Sequence, residues 1–172
     1  GKEYKTLSFL SSKDYEIPSF ERKDVTETNL SVSICYESVF PDFVRTFVDS
    51  GANFLSVITN DAWFGKTPAP FQHAQMAAIR AIENRRYVAR CANTGVSCFI
   101  DPFGRITQQT PLFEKKIRIG TIYTNSEKTF YTKHGDIFAK IVSLIVVLSL
   151  ILKILWLITN RLFKKDASGS NI

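Results

Sequence analysis

The sequence has few of the residues that build disulfide frameworks and metal centres. Its 172 residues include two histidines and three cysteines, Cys35, Cys91 and Cys98. The cysteine spacing matches neither a C-x-x-C pair nor zinc knuckles, which excludes a disulfide-rich scaffold and predicts that no metal is bound. Cys91 and Cys98 lie in separate apolar segments and are interpreted as core residues, with a bridge between them left open for an oxidising compartment.

An initiator methionine and a signal peptide are also missing. The chain begins with Gly1-Lys2-Glu3-Tyr4-Lys5, which is typical of the interior of a protein. We therefore expect it to be a carboxyl-terminal fragment of a longer polypeptide.

The charge pattern favours a membrane over a nucleic acid. The formal net charge is +6, but aromatic residues are not interleaved with the basic ones as on a nucleic-acid-binding face. Arg161, Lys164 and Lys165 instead follow a long apolar run, an arrangement typical of the flank of a membrane span. We predict that the protein has no nucleic-acid partner.

That apolar run predicts one transmembrane helix at residues 137–159. About 20 apolar residues suffice to cross a bilayer, and the run has no polar face that would suit a core helix. By the positive-inside rule, the basic tail at residues 160–172 lies in the cytoplasm. The domain before the helix, residues 1–133, would then lie on the outer side of the membrane.

Residues 30–100 alternate strand and helix patterns as α/β folds do. Val32 and Ile34 alternate with small residues, and a helix follows that Gly51 ends, before a second strand at residues 53–59. This order predicts a βαβ unit with parallel strands. We also predict a helix at 71–85, strands at 117–123 and 4–10, and strands at 87–92 and 96–100. A tight turn at 93–95, where Asn and Gly tolerate positive φ, joins the last two strands.

Cys35 directly follows the first of the two parallel strands, where a side chain meets the open edge of the sheet. A thiol there, followed by backbone amides that point at a substrate, suits a nucleophile. The next strand ends in the polar and aromatic residues 60–65, so both loops are expected at one edge. Alternatively, Cys35 is a small buried core residue. His73, in the next helix, is interpreted as a structural hydrogen-bonding residue.

Five segments occur in an order that is far more specific than any one of them alone. They are Ile34-Cys35-Tyr36-Glu37, Thr59-Asn60-Asp61-Ala62-Trp63-Phe64-Gly65, Arg80-Ala81-Ile82-Glu83-Asn84-Arg85-Arg86-Tyr87, Ala92-Asn93-Thr94-Gly95-Val96-Ser97 and Ile100-Asp101-Pro102-Phe103-Gly104-Arg105. Together they resemble the carbon–nitrogen hydrolase (nitrilase) domain of bacterial apolipoprotein N-acyltransferases. The resemblance implies an α/β fold, the C-terminal half of a nitrilase-like α-β-β-α sandwich, followed by one transmembrane helix.

The resemblance also implies a triad of Glu, Lys and Cys, in which the Glu takes the thiol proton and the Lys stabilises the oxyanion. Only the cysteine is present, and the resemblance places the Glu and the Lys before Gly1. It makes Cys35 the nucleophile, the amide of Tyr36 an oxyanion donor, and Glu37 a carboxylate that orients the Lys or the incoming amine. Four residues of the next loop are expected to contact substrate, with simple packing against the sheet edge as the alternative for the two aromatic ones: Asn60, Asp61, Trp63 and Phe64.

The implied reaction is ping-pong acyl transfer. An acyl chain would pass from a phospholipid, through a thioester on Cys35, to the α-amino group of the diacylglyceryl-modified cysteine of an apolipoprotein. No cofactor is called for. We expect a monomer in the bacterial inner membrane with a periplasmic catalytic domain, and little or no activity of the 172-residue chain alone.

Two other functions stay open at the level of the sequence. A membrane-tethered amidase would use the same thiol and pass the acyl group to water. A non-enzymatic, membrane-anchored interaction domain would bury Cys35 as an unreactive thiol. The apolar span and the pairs Tyr36-Glu37 and Trp63-Phe64 favour the acyltransferase over the amidase.

Overall fold

The computed structural model describes residues 3–7 and 28–168, with side chains described for residues 28–160. The chain divides into two units, one that ends at Gly135 and one that begins at Asp136. The elements are β1 (Glu3–Leu7), β2 (Leu30–Ile34), a 3-10 helix (Cys35–Val39), α1 (Pro41–Asp49), β3 (Phe54–Asn60), a second 3-10 helix (Ala62–Phe64), α2 (Ala69–Asn84), β4 (Val88–Asn93), β5 (Cys98–Ile100), β6 (Ile106–Thr107), β7 (Ile119–Tyr123), α3 (Phe130–His134) and α4 (Ile137–Ser168).

The main sheet has five strands in the order β2-β3-β4-β5-β6. Strands β2, β3 and β4 are parallel, whereas β5 and β6 are antiparallel to their neighbours. The predicted βαβ unit is confirmed, because α1 connects β2 to β3. Pro41 starts α1, where its missing N–H costs no hydrogen bond, and Gly51 follows the helix with φ 112°.

Helices α1 and α2 cover one face of this sheet. The small residues of α2 bring its backbone close to the strands, so that core side chains of both elements are almost fully buried. On the other face, Ile122 of β7 packs with Phe54 and Phe99, and β7 pairs with β1 in a second, antiparallel sheet. The predicted α/β layering is therefore confirmed as helix, sheet and sheet. The core on the helix side is Val44, Val48, Leu55, Val57, Ala74, Ala77, Ala78, Ala81, Val88, Val96, Cys98 and Ile100.

The side chains of β2 alternate between buried and exposed. Ser31 and Ser33 face the helices, while Leu30, Val32 and Ile34 lie on the opposite face with 40% or more of their surface exposed. The strand that leads to Cys35 therefore presents an apolar surface that the described residues leave uncovered.

Two features of the sequence were interpreted wrongly or missed. In the turn at residues 93–95, Thr94 has the positive φ, at 60°, and neither Asn93 nor Gly95 does. Helix α3 was not predicted; Thr129 starts it, since its hydroxyl accepts a hydrogen bond from the amide of Thr132.

Of the predicted edge strand at residues 4–10, residues 4–7 are confirmed and residues 8–10 lie outside the described residues.

Helix α4 is the second unit. Its segment Ile137–Asn160 is 24 residues long and apolar enough to cross a membrane by length and composition, and it spans about 36 Å at 1.5 Å per residue. This agrees with the transmembrane helix predicted at residues 137–159. The helix continues to Ser168 through most of the predicted tail, whose last four residues lie outside the described residues.

Arg86 joins three parts of the first unit from inside. Its side chain is 1% exposed and donates to the carbonyl oxygens of Ala52 at 3.0 Å, Asn84 at 3.1 Å and Glu127 at 2.8 Å. Burial lowers the pKa of Arg86 to about 10, so the guanidinium keeps its charge at neutral pH. It therefore holds the start of β3, the end of α2 and the approach to α3 together.

We predict that Arg86→Met lowers the free energy of unfolding by about 3 kcal/mol, because two buried carbonyl groups and one part-buried one lose their donor. Thermal unfolding of the detergent-solubilised chain, followed by circular dichroism, measures the change. The exposed neighbour serves as the control, since Arg85→Met should cost less than about 1 kcal/mol. Equal losses in the two variants would contradict this role of Arg86.

Candidate active site

Cys35 lies at the carboxyl end of β2 in a strained turn. Its φ of 54° is in the left-handed region, which costs a non-glycine residue roughly 1–3 kcal/mol. The hydroxyl of Ser38 donates to the carbonyl oxygen of Cys35 at 2.9 Å, and the carboxylate of Glu37 accepts from the amide of Ile34 at 2.7 Å. These two contacts hold the turn, and the half-buried thiol lies at the sheet edge as predicted.

Asp61 is the centre of a buried polar cluster next to this turn. It is 1% exposed, and its Oδ1 accepts from the hydroxyl of Thr59 and from Nδ1 of His73, both at 3.0 Å. Its Oδ2 accepts from the guanidinium of Arg90 at 2.8 Å. Burial opposes ionisation most strongly, yet together the hydrogen bond from His73 and the charge of Arg90 hold the pKa of Asp61 below its usual value.

Gly95 makes room for this carboxylate. A Cβ placed on Gly95 would overlap the side chain of Asp61. The β4–β5 turn needs glycine here for close approach, since φ at this position is not positive.

Arg90 of β4 links the cluster to the β4–β5 turn. Its side chain is fully buried, and its Nε donates to the carbonyl of Val96 at 3.1 Å. Burial lowers the pKa of Arg90, and the charge of Asp61 opposes that effect.

The two other cysteines do not form a bridge. Cys98 is a free thiol that pairs in register with Arg90, so the adjacent Cys91 points to the opposite face of the sheet. Burial raises the pKa of Cys98 to about 11, which makes it unreactive at neutral pH. Cys98 is a buried core residue, as the core interpretation expected, whereas Cys91 is only half-buried.

Aromatic rings surround His73 at the entrance to this cluster. The ring of Tyr36 lies 6.0 Å from that of His73, and the ring of Phe64 lies 6.4 Å from it. Trp63 is 76% exposed, and the exposed Asn60 accepts a hydrogen bond from the amide of Ala62. The loop after β3 is thus folded against the Cys35 turn through His73.

The structure brings together most of the predicted site residues and adds three. Tyr36, Glu37 and Phe64 lie around the Cys35 turn, while Asp61 is buried behind it. Their roles in binding and catalysis stay predictions. Ser38 and Arg90 were not singled out in the sequence. His73 was expected as a structural hydrogen-bonding residue, and it makes such bonds inside the buried cluster. An arginine at an inward-facing strand position was the signal for a buried carboxylate partner.

Comparison with protein families matches residues 2–129 to the family described as carbon-nitrogen hydrolase. Three similar proteins are apolipoprotein N-acyltransferases. That of Chlorobaculum tepidum is 42% identical over 130 residues, 76% of this chain and 24% of its own. Those of Geobacter metallireducens and Thermotoga maritima are 40% and 38% identical, over 67% and 83% of this chain and 22% and 29% of their own. The chain thus spans about a quarter of the length of these relatives.

Among solved structures, a similar one is a mutant of the amidase from Nesterenkonia sp. AN1 with acrylamide added at its active-site cysteine. It is 20% identical over 69% of this chain and 48% of its own, with a TM-score of 0.48.

We predict that Gly95→Ala lowers the free energy of unfolding by about 3 kcal/mol, because the added methyl displaces the carboxylate of Asp61 from its buried partners. Thermal unfolding measures the loss. Gly65→Ala is the control for backbone strain alone: its Cβ would enter open space, and its positive φ should cost about 1–3 kcal/mol without displacing any side chain. A smaller loss in Gly95→Ala than in the control would contradict the close packing on Asp61.

Proposed function

The chain belongs to the carbon–nitrogen hydrolase family, and on that premise we propose that it is the carboxyl-terminal catalytic part of an apolipoprotein N-acyltransferase. Family membership confirms the predicted nitrilase-like fold class. The observation that carries the proposal is the position of Cys35, a half-buried thiol in a left-handed turn at the carboxyl edge of parallel strands. Identities of 38–42% to three apolipoprotein N-acyltransferases support acyl transfer over hydrolysis.

In the first half of the proposed reaction, Cys35 takes an acyl chain from a phospholipid. The thiolate attacks the ester carbonyl, the C–O bond breaks, and the alcohol of the lysophospholipid leaves with a proton while a thioester forms. Tyr36 is the second residue of a helical turn, where amides lack a partner within the helix, so its N–H is a suitable oxyanion donor. The Glu and Lys implied before Gly1 would move the proton and share the oxyanion charge.

In the second half, the α-amino group of a diacylglyceryl-modified apolipoprotein attacks the thioester. An amide bond forms, the C–S bond breaks, and the thiol of Cys35 is regenerated. Glu37 lies two residues after the nucleophile, close enough in sequence to orient the amine or the Lys. Its contact with the amide of Ile34 fixes the carboxylate beside the Cys35 turn.

Aromatic side chains in the Cys35 turn and in the loop after β3 suit an acyl chain. Tyr36 is 55% exposed, Trp63 is 76% exposed, and Phe64 is half-buried; such rings offer large apolar surfaces. We assign Trp63 and Phe64 to contact the acyl substrate. Asn60 and Asp61 act in substrate binding by shaping the loop, since Asn60 caps its first turn and Asp61 anchors it.

Helix α4 fits the same function, because acyl chains hold both proposed substrates in the bilayer. We assign the protein to the bacterial inner membrane as a monomer, with the catalytic domain on the periplasmic face. The basic residues Arg161, Lys164 and Lys165 follow the span, which supports a cytoplasmic location of its far end by the positive-inside rule.

We predict that a chimaera, in which this chain replaces the matching segment of the Chlorobaculum tepidum relative, forms a thioester with phospholipid. Intact-protein mass spectrometry should find a hydroxylamine-sensitive, acyl-sized adduct that is lost in Cys35→Ser and kept in the matched Cys91→Ser variant. The 172-residue chain alone should show little or no turnover.

Acyl transfer would be contradicted by a folded chimaera that forms no adduct when no acceptor is present. Release of free fatty acid at the same rate with and without an apolipoprotein acceptor would instead indicate an amidase-like hydrolase. A Cys35 that resists all thiol reagents in the folded chain would indicate the non-enzymatic domain.

We predict that the carboxyl terminus lies in the cytoplasm, because three basic residues flank that end of the span. A fluorescent protein fused after Ile172 should fluoresce, and alkaline phosphatase at the same position should be inactive. Replacing Arg161, Lys164 and Lys165 by glutamine is the control that removes the charge bias. Active phosphatase in the unaltered fusion would contradict the orientation.

A further inference from the structure

A continuous chain of buried hydrogen bonds leads to the backbone of Cys35, and the reaction steps above leave it without a role. Arg90 donates to Oδ2 of Asp61 at 2.8 Å, and Nδ1 of His73 donates to Oδ1 of Asp61 at 3.0 Å. On its other side, Nε2 of His73 lies 3.4 Å from the hydroxyl of Ser38. That hydroxyl contacts the carbonyl oxygen of Cys35 at 2.9 Å.

The direction of every bond in this chain except the His73–Ser38 contact follows from the groups involved. The ionised carboxylate of Asp61 only accepts, so Nδ1 of His73 is a donor. Ser38 has one hydroxyl proton and gives it to the carbonyl of Cys35, an acceptor without protons. On the other side of the ring, Nε2 of His73 lies beside the same hydroxyl. The imidazole therefore connects the anchored carboxylate to the serine.

These groups have no solvent to replace a lost partner. Ser38, Asp61 and His73 are 1%, 1% and 3% exposed. A buried polar group that loses its partner costs more than the net value of the bond. The buried side chains of Asp61, His73 and Ser38 therefore hold one another in place, and Ser38 in turn holds the backbone of Cys35.

The hydrogen bond from Ser38 restrains a residue whose backbone conformation is unfavourable. Cys35 has a φ of 54°, which a non-glycine residue keeps only when its surroundings hold it. The carbonyl that Ser38 holds belongs to the same residue and to the peptide group whose N–H is that of Tyr36. Fixing this peptide plane fixes the direction of that amide and, through ψ of Cys35, restrains the Cα–Cβ bond that carries the thiol.

We propose that Ser38 and His73 are positioning residues for Cys35, with Asp61 and Arg90 as their buried anchor. The inference deepens the proposed function and rests on it only in taking the Cys35 thiol as the reacting group. Neither residue exchanges a proton with the substrate. Their effect is to present the thiol and the Tyr36 amide in one fixed orientation.

Alkylation of the detergent-solubilised 172-residue chain by iodoacetamide tests the proposal without any lipid substrate. Ser38→Ala and His73→Leu should each slow alkylation of Cys35 by about fivefold, because the relaxed turn no longer presents the thiol. His73→Gln keeps an N–H that can reach Ser38 and should recover part of the rate. Peptide mass spectrometry separates Cys35 from Cys91.

Ser97→Ala is the matched control. Ser97 is 5% exposed, and its hydroxyl bonds the backbone of Ala92, so the variant loses a buried serine bond elsewhere in the same sheet. It should lose stability and keep the Cys35 alkylation rate. Rates in Ser38→Ala and His73→Leu that match this control at equal stability would overturn the proposal.

Thioester formation by the chimaera described above is a second test of the proposal. Each single variant should lower kcat for thioester formation by about 10- to 100-fold with little change in KM. The double variant should be no slower than the slower single one, because both changes break the same link. Additive losses would overturn the proposal. A chimaera that forms no thioester even with the unaltered chain would count against the proposed function alone, since the alkylation rates still decide the positioning roles.

Discussion

The arrangement of the candidate site depends on one buried carboxylate. Asp61 follows β3 directly and is bound by side chains from three elements: Thr59 at the end of its own strand, Arg90 in β4 and His73 in α2. A carboxylate without these partners would not stay ionised at 1% exposure. Because the partners come from separate elements, the cluster forms only when sheet and helix pack correctly, and it then fixes the loop after β3 beside the loop after β2.

The sheet brings these loops together before any side chain acts. Parallel strands β2, β3 and β4 all end at the same edge, so the residues that follow each strand are neighbours although they are far apart in the chain. The amide of Asp61 donates to the carbonyl of Asn93 at 3.3 Å, which continues the pairing of β3 with β4 past the ends of the strands. Gly95 in the next turn leaves the space that the carboxylate fills. Topology thus selects the neighbours, and the polar cluster sets their exact orientation.

The sequence was sufficient for the parallel βαβ unit, the edge position of Cys35 and the apolar span, because each has a local pattern: alternation of side chains, a helix that glycine ends, or a long apolar run. It was not sufficient for the links among these elements. Nothing local pairs Arg90 with Asp61, which is 29 residues away, or places Ser38 against His73. The positive φ at Thr94 was missed because propensity favours Asn and Gly, whereas Gly95 is needed to avoid a side-chain overlap that exists only in the folded molecule.

A cluster of this kind is not explained by stability alone. Desolvating a carboxylate and a guanidinium costs several kcal/mol per ion, and well-packed apolar residues of similar volume often serve a fold equally well. An apolar replacement would keep the sheet together, but it would offer no directed hydrogen bond to a strained turn. The charged cluster gives what apolar packing does not, which is a fixed direction of donation from Arg90 and His73 toward fixed acceptors. Both donors hold Asp61, and His73, fixed in this way, contacts the Ser38 hydroxyl that donates to the carbonyl of Cys35. The buried charges therefore give a defined geometry to the residue on which the proposed chemistry depends.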